Sequence, residues 1–322
     1  MDKIDVFCGI NSIGMPNTTD NKDNYGYLDY VKNYLIQKGY EVNTYNFSSL
    51  DHNYTWDFEK VFKNNYSMDK IRNIQIASID NLRKVNPLFK LVVPKKYQEK
   101  LKQMENNEKI ADVYKDSSKP IFLYSGGLND ILIYMRGGPV ELLNKNIRDN
   151  MANNFYSFFD KAINNVRNNF ILLKELNPNV DIYALTVSDS NIFKLIDKII
   201  NLQEINTKNN ILPKNILNYL LTEFNKKLID LASEFDNVHI IDLYSEMIPC
   251  ANLDFHPSRE GNIIIGEKIV KQLEKKYKGK LNDNKIEEYK ENFNGKIKEI
   301  PKIFTIILEI SPNQDLIMEI LL

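Results

Sequence analysis

The sequence predicts an α/β fold, a three-layer sandwich built around a five-stranded parallel sheet. Five short apolar segments have the length and punctuation of buried strands. Segments with apolar residues at helical spacing lie between several of them. Because strands that alternate with amphipathic helices form parallel βαβ units, we expect one open sheet with helices on both faces.

The predicted elements follow in chain order. The strands are Ile4–Cys8, Glu41–Asn46, Pro120–Tyr124, Val180–Val187 and Val238–Leu243. We expect Gly9 to end the first strand and Ser125-Gly126-Gly127 to end the third. The helices between strands are Tyr27–Leu35, capped by Lys38-Gly39, then Phe155–Leu176 and about Leu217–Phe235, and the apolar run Ile263–Val270 follows the last strand.

The chain is predicted to hold one α/β domain over residues 1–279 and an appendage over residues 280–322. Two segments exceed the minimal fold. Residues 51–116 are expected to contain helices at about Met68–Val85 and Lys95–Asn106. Residues 191–213 either cover the crevice as a flap or pack onto the domain. The appendage either docks on the domain or forms a partner surface.

Composition excludes several classes of function. The net charge is -1 and the lysines are dispersed, so we expect no nucleic-acid partner. No apolar run reaches the roughly 18 residues of a membrane span, and the amino terminus has no signal core. Cys8 and Cys250 make neither a disulfide framework nor a metal-binding spacing. We therefore expect a cytoplasmic protein that needs no metal or organic cofactor.

Candidate catalytic residues follow the strands of the predicted sheet. In open parallel sheets ligands bind beyond the carboxyl ends of the strands. Ser12 follows the first strand, and Asn129, within Gly127-Leu128-Asn129-Asp130, follows the third. His256, one of three histidines, lies in a loop between the last strand and Gly261. A neutral imidazole is the usual general base near pH 7, and an Asn amide is suited to stabilising an oxyanion.

These segments resemble blocks of the SGNH (GDSL-type) hydrolases, from residue 4 to about residue 275. The most specific parts are Gly-x-Asn-Asp at Gly127–Asp130 and His-Pro-x-x-x-Gly at His256–Gly261. The resemblance implies a flavodoxin-like sheet and serine esterase or lipase activity on a small-molecule ester. It also implies that Ser12 is the nucleophile and His256 the base. Asn129 and the Ser12 amide would bind the oxyanion, and Gly127 would shape the turn.

The chain departs from the family pattern at three places. Gly-Asp-Ser becomes Ile10-Asn11-Ser12, and the glycine of the second block falls on Asp51. The family acid precedes the histidine by three residues, where this chain has Leu253. Asp254 is one residue closer to His256. The group that orients His256 is therefore Asp254, a backbone carbonyl, or Asp242 after the fifth strand.

These departures motivate an alternative, in which the protein binds a carbohydrate or acylated ligand without hydrolysing it. A nucleotide- or flavin-binding module shares the sheet, but the chain lacks a phosphate-loop signature. Cys8 is an alternative nucleophile, although a small buried cysteine more often fills a strand end. The aromatic residues Tyr54, Trp56 and Phe58 either line an acyl pocket or form core. Oligomeric state is not predicted.

Overall fold

The computed structural model describes residues 2–10, 25–48, 55–85, 95–103, 105–127, 145–188, 216–245, 248–249 and 256–276. Within these ranges the strands are β1 (Lys3–Ile10), β2 (Glu41–Asn46), β3 (Pro120–Ser125), β4 (Asp181–Leu185) and β5 (Val238–Ile241). The helices are α1 (Tyr27–Gln37), α2 (Thr55–Lys63), α3 (Met68–Val85), α4 (Lys95–Gln103), α5 (Ile110–Asp116), α6 (Lys145–Leu176), α7 (Ile216–Ala232) and α8 (Arg259–Leu273).

The strands form one sheet in the order β2-β1-β3-β4-β5, and every neighbouring pair is parallel. This arrangement confirms the predicted five-stranded flavodoxin-like sheet. The order reverses direction next to β1, since β2 lies on one side of it and β3 on the other. Ligands of open α/β sheets bind at such a switch point, beyond the carboxyl ends of the strands.

Helices cover both faces of the sheet and complete the three layers. Side chains alternate along β1, so Phe7 faces one layer while Val6 and Cys8 face the other. The first face is aromatic: Phe7 stacks on Tyr45 with ring centroids 4.9 Å apart and contacts Tyr114 edge-on at 5.0 Å. Residues of α2, α3, α5, α6 and α7 bury this face, and α1 with α8 bury the other.

Three of the helices between β2 and β3, namely α2, α3 and α5, contribute to the aromatic layer. Phe58 and Phe62 of α2 pack with Phe122 of β3 in one cluster, which confirms the core interpretation for Phe58. Side-chain positions of Tyr54 and Trp56 lie outside the described residues, as do residues 191–213 and 280–322. No helix in the described part of the chain is both long enough and apolar enough to cross a membrane.

Several predicted boundaries were wrong, each because of a contact with a residue of another element. Gly9 does not end β1, because it pairs with Tyr124 in the sheet and the ring of Phe47 fills the space that a side chain would need. β4 and β5 are shorter than predicted. The Leu243 amide donates to the hydroxyl of Thr186 and not to a backbone carbonyl of the neighbouring strand, so the ladder ends before these residues. α4 ends before Asn106, whose amide donates to Asp69 instead.

Other boundaries differ in the remaining helices. The pattern gave no prediction for α2 and α5, which are only 9 and 7 residues long. α6 begins ten residues before the predicted start. By contrast, α3 has the predicted bounds, and α1 ends before Gly39, whose φ of 89° is the left-handed conformation expected of a glycine cap.

Candidate active site

The neighbouring strands β1 and β3 end side by side. β1 ends at Ile10 and β3 at Ser125, and these residues are register partners. The chain therefore leaves the sheet at one level, two residues before Ser12 and two before Gly127. Ser12 and Asn129 themselves lie outside the described residues, so their predicted roles stay predictions.

Gly127 occupies a position that only glycine fits. Its φ is 104°, which side-chain-bearing residues rarely adopt. A Cβ on Gly127 would lie 2.6 Å from the ring of Phe224 and 3.0 Å from Val166. The turn after β3 is thus held by a left-handed residue pressed against α6 and α7. The part predicted for Gly127 in the active site stays a prediction.

His256 lies in the turn that precedes α8 and is only 2% exposed. The next residues secure this turn. Ser258 is the N-cap of α8, and its hydroxyl accepts a hydrogen bond from the Gly261 amide at 3.0 Å. The Ser258 amide donates to the carbonyl of Pro249 at 2.9 Å.

Gly261 completes the turn because it has no side chain. A Cβ there would lie 2.2 Å from the Pro249 carbonyl oxygen, so the glycine permits the close approach of this segment. Packing thus explains the His-Pro-x-x-x-Gly spacing. The helix cap, Ser258, lies two residues after His256, and the residue that must lack a side chain, Gly261, lies five residues after it.

The groups proposed to orient His256 differ in what can be said of them. Asp254 and Leu253 lie outside the described residues. Oδ1 of Asp242 accepts hydrogen bonds from the amides of Tyr244 and Ser245 at 2.9 and 3.2 Å. Partial burial raises the pKa of Asp242, but hydrogen bonds from the Ser245 side chain and from these two amides, together with the charge of Lys268, outweigh it and leave the pKa below its usual value. Asp242 is therefore an ionised cap of the segment after β5.

The ends of β4 and β5 are fixed by side chains that bond to backbone. Asn225 of α7 makes two hydrogen bonds with Val187, one to its amide and one to its carbonyl, both at 2.8 Å. The hydroxyl of Thr186 accepts from the Leu243 amide at 2.7 Å. These contacts give the carboxyl ends of β4 and β5 a defined shape.

Sequence reasoning missed two of the polar residues that organise this end of the molecule. Thr186 and Asn262 are 1% exposed, and both bond to backbone groups far away in sequence. Hydrophobic periodicity contains no signal for such contacts, because each partner lies on another element. Asn225 lies in the helix before β5, and its two hydrogen bonds with Val187 explain a buried asparagine at that position.

A cavity of about 320 Å³ lies at the opposite, amino end of the sheet. Its lining includes Lys3 and Asp5 at the start of β1 and Ser117 just before β3. This cavity is therefore separate from the strand ends that precede Ser12 and Gly127. Within the described ranges, no three His, Cys, Asp or Glu side chains are grouped so that they could hold a metal ion.

No protein-family model and no curated protein matches the chain. Similar solved structures include a lipase from a goat rumen metagenome, with 14% identity and a TM-score of 0.47 over 84% of this chain and 97% of that chain. A family two carbohydrate esterase from Clostridium thermocellum has 10% identity and a TM-score of 0.41 over 85% and 64%. A GDSL-like lipase from Parabacteroides merdae has 13% identity and a TM-score of 0.41 over 84% and 94%.

These structures are those of lipases and of a carbohydrate esterase. At such identities and TM-scores the likeness does not identify the reaction of this chain. Its fold rests on the strand order and register above.

Proposed function

We propose that the protein is a serine hydrolase that cleaves a carboxylic or acyl ester. In this proposal His256 takes the proton of the Ser12 hydroxyl as Ser12 attacks the acyl carbon, and returns that proton to the leaving alcohol. The Ser12 amide and the Asn129 side chain stabilise the oxyanion. Water then attacks the acyl carbon of the acyl-enzyme while His256 takes a proton from that water. His256 returns this proton to Oγ of Ser12 as the acid is released.

One observation supports this proposal most strongly. The Ile10–Ser125 register pair brings the segments that lead to Ser12 and to Gly127–Asn129 out of the sheet side by side. Both segments emerge at the switch point of strand order, where such sheets bind ligands. A nucleophile and an oxyanion donor must lie on adjacent segments for one acyl group to reach both.

The burial of His256 also supports it. An imidazole that is 2% exposed, in a turn fixed by the α8 cap, is held in place rather than free to rotate in water. A general base must stay within hydrogen-bonding reach of the hydroxyl it deprotonates, so a fixed turn suits the assigned part.

Steady-state hydrolysis of a short p-nitrophenyl ester tests the proposal. Ser12→Ala and His256→Ala should each lower kcat by about 10³-fold or more, and the double variant should lose little beyond either single one. Matched controls are Ser233→Ala, at the exposed end of α7, and His239→Ala, on β5; both should keep the parental rate.

Full activity in either catalytic variant would exclude this mechanism. Binding of an acylated or carbohydrate ligand without turnover by the parent would favour the alternative, a binding protein on the same fold. The altered first block motivates that outcome, and Gly9, the glycine that precedes Ser12, lies within β1, where it pairs with Tyr124.

A further inference from the structure

The side chain of Asn262 joins the turn of His256 to helix α1. Its Nδ2 donates to the carbonyls of Pro257 and Ser258 at 3.1 and 2.9 Å, the two residues that follow His256. Its Oδ1 accepts from the backbone amide of Tyr27 at 3.2 Å. One amide group, 1% exposed, thus connects residues 235 positions apart in the sequence.

The contact continues from α1 to the strand that precedes Ser12. Tyr27 is the first residue of α1, and its phenol oxygen lies 3.2 Å from Sγ of Cys8 in β1. Cys8 is two residues before the end of β1 at Ile10. The path from the His256 turn to β1 therefore runs through Asn262 and Tyr27, and three hydrogen bonds between buried groups join its residues.

The two helices are also in direct contact beside this path. A Cβ on Gly266 of α8 would lie 2.7 Å from the Tyr30 side chain of α1, so the glycine lets the helices approach closely. Close packing fixes the distance between α1 and α8. It does not fix the turn before α8, because that turn lies beyond the helix end. Beside the Ser258 cap and the contact with Pro249, the Asn262 amide adds a direct link between this turn and α1.

We propose that Asn262 is a positioning residue for His256, a proposal that rests on the proposed hydrolase function. By holding the Pro257 and Ser258 carbonyls against the first turn of α1, it sets where the imidazole stands relative to the end of β1. Asn262 itself does not touch the reacting atoms. Its loss moves the base and lowers the rate of the chemical step, with little effect on substrate binding.

Asn262→Leu tests this, since leucine has the same branched outline but neither donates nor accepts a hydrogen bond and adds no charge. We expect kcat for a p-nitrophenyl ester to fall by about 10- to 100-fold, because a displacement of about 1 Å can cost about 10²-fold. The KM should change by less than about threefold. Should Asn262→Leu fail to fold, Asn262→Ser provides a milder change.

Asn177 offers a matched control at the amino end of the sheet. It is also buried, its Nδ2 donates to the carbonyls of Tyr114 and Ser117, and its Oδ1 accepts from the Asn179 amide. Asn177→Leu should lower the melting temperature about as much as Asn262→Leu, but leave kcat near the parental value. Parental kcat in folded Asn262→Leu, or an equal kcat loss in Asn177→Leu, would overturn the proposal.

A second readout separates this proposal from the proposed function. The chain has three histidines, so ring signals of isotope-labelled histidine can be assigned with His256→Gln. Asn262→Leu should shift the His256 signals, whereas Asn177→Leu should not. If Ser12→Ala keeps the activity, the hydrolase mechanism fails and these spectra alone decide whether Asn262 places His256. Unchanged His256 signals would contradict the inference in either case.

Discussion

The phenol oxygen of Tyr27 lies 3.2 Å from Sγ of Cys8, and both groups are buried between β1 and α1. Burial raises the pKa of the Cys8 thiol to about 11 and the pKa of Tyr27 well above its usual value. Both groups are therefore protonated at neutral pH. A neutral, enclosed thiol is a poor nucleophile, so Cys8 serves packing and hydrogen bonding at the strand end.

Cys8 should therefore resist alkylation in the native protein. With iodoacetamide at pH 8, its thiolate fraction is about 100-fold smaller than that of an unperturbed cysteine with a pKa near 9. We expect the native rate to be lower by at least that factor than the rate in urea. Peptide mapping by mass spectrometry separates Cys8 from Cys250. Equal native and denatured rates at Cys8 would show that the thiol is accessible and ionised.

Gly127→Ala should destabilise the protein for two reasons. The left-handed backbone costs a side-chain-bearing residue about 1–2 kcal/mol. The new Cβ would also stand 2.6 Å from the Phe224 ring, and such overpacking typically costs about 1–3 kcal/mol more. The free energy of unfolding, measured by urea denaturation, should fall by about 2–5 kcal/mol.

Gly39→Ala is the matched control for this prediction. Gly39 also has a positive φ, 89°, but a Cβ there would meet nothing within 4 Å. The free energy of unfolding of Gly39→Ala should fall only by the backbone contribution of about 1–2 kcal/mol. When Phe224→Leu is added to Gly127→Ala, the double variant should recover part of the lost free energy of unfolding, because the smaller side chain opens space beside the new methyl group. Equal losses in the two glycine variants would argue against the contact with Phe224.

Because of Asp181, the free energy of unfolding should depend on pH in the acid range. Burial raises its pKa, but hydrogen bonds with His239 and Lys276 outweigh burial and leave the pKa below its usual value. A lowered pKa in the folded state stabilises the protein above the unfolded pKa, near 3.8. That contribution is lost as the pH falls through the folded pKa.

Lys276→Met should therefore lower the free energy of unfolding at pH 7 by less than about 1 kcal/mol, because the lysine side chain is half exposed and screened by water. The difference from the parent should shrink as the pH is lowered below 3.8. Lys275→Met, at the neighbouring exposed lysine, is the control. A difference that grows towards acid pH would have the wrong sign for this ion pair.

The sheet could be predicted from sequence because its strands are local patterns. β2 has the predicted bounds, and β3 differs by one residue. The prediction that Gly9 ends β1 was wrong, because a glycine that ends a strand cannot be distinguished in a sequence from one that makes room for Phe47. Whether a glycine terminates an element depends on what packs against it.

The candidate site was predictable in part. His256 and Gly127 were predicted from their motifs, and the structure describes the turns in which they lie, while their roles stay predictions. Asn262 gave no such signal, because its Oδ1 bonds to the amide of Tyr27 on another helix. A pattern of sequence neighbours cannot indicate a contact that only the packing of α1 on α8 creates.

Covalent labelling of Ser12 tests the central proposal most directly. The parent protein is incubated with a fluorophosphonate, and the peptide that contains Ser12 is analysed by mass spectrometry. An activated serine should give a stoichiometric adduct on that peptide, and His256→Ala should slow its formation by about 10³-fold or more. No adduct on Ser12, or equal labelling in the parent and in His256→Ala, would contradict the account.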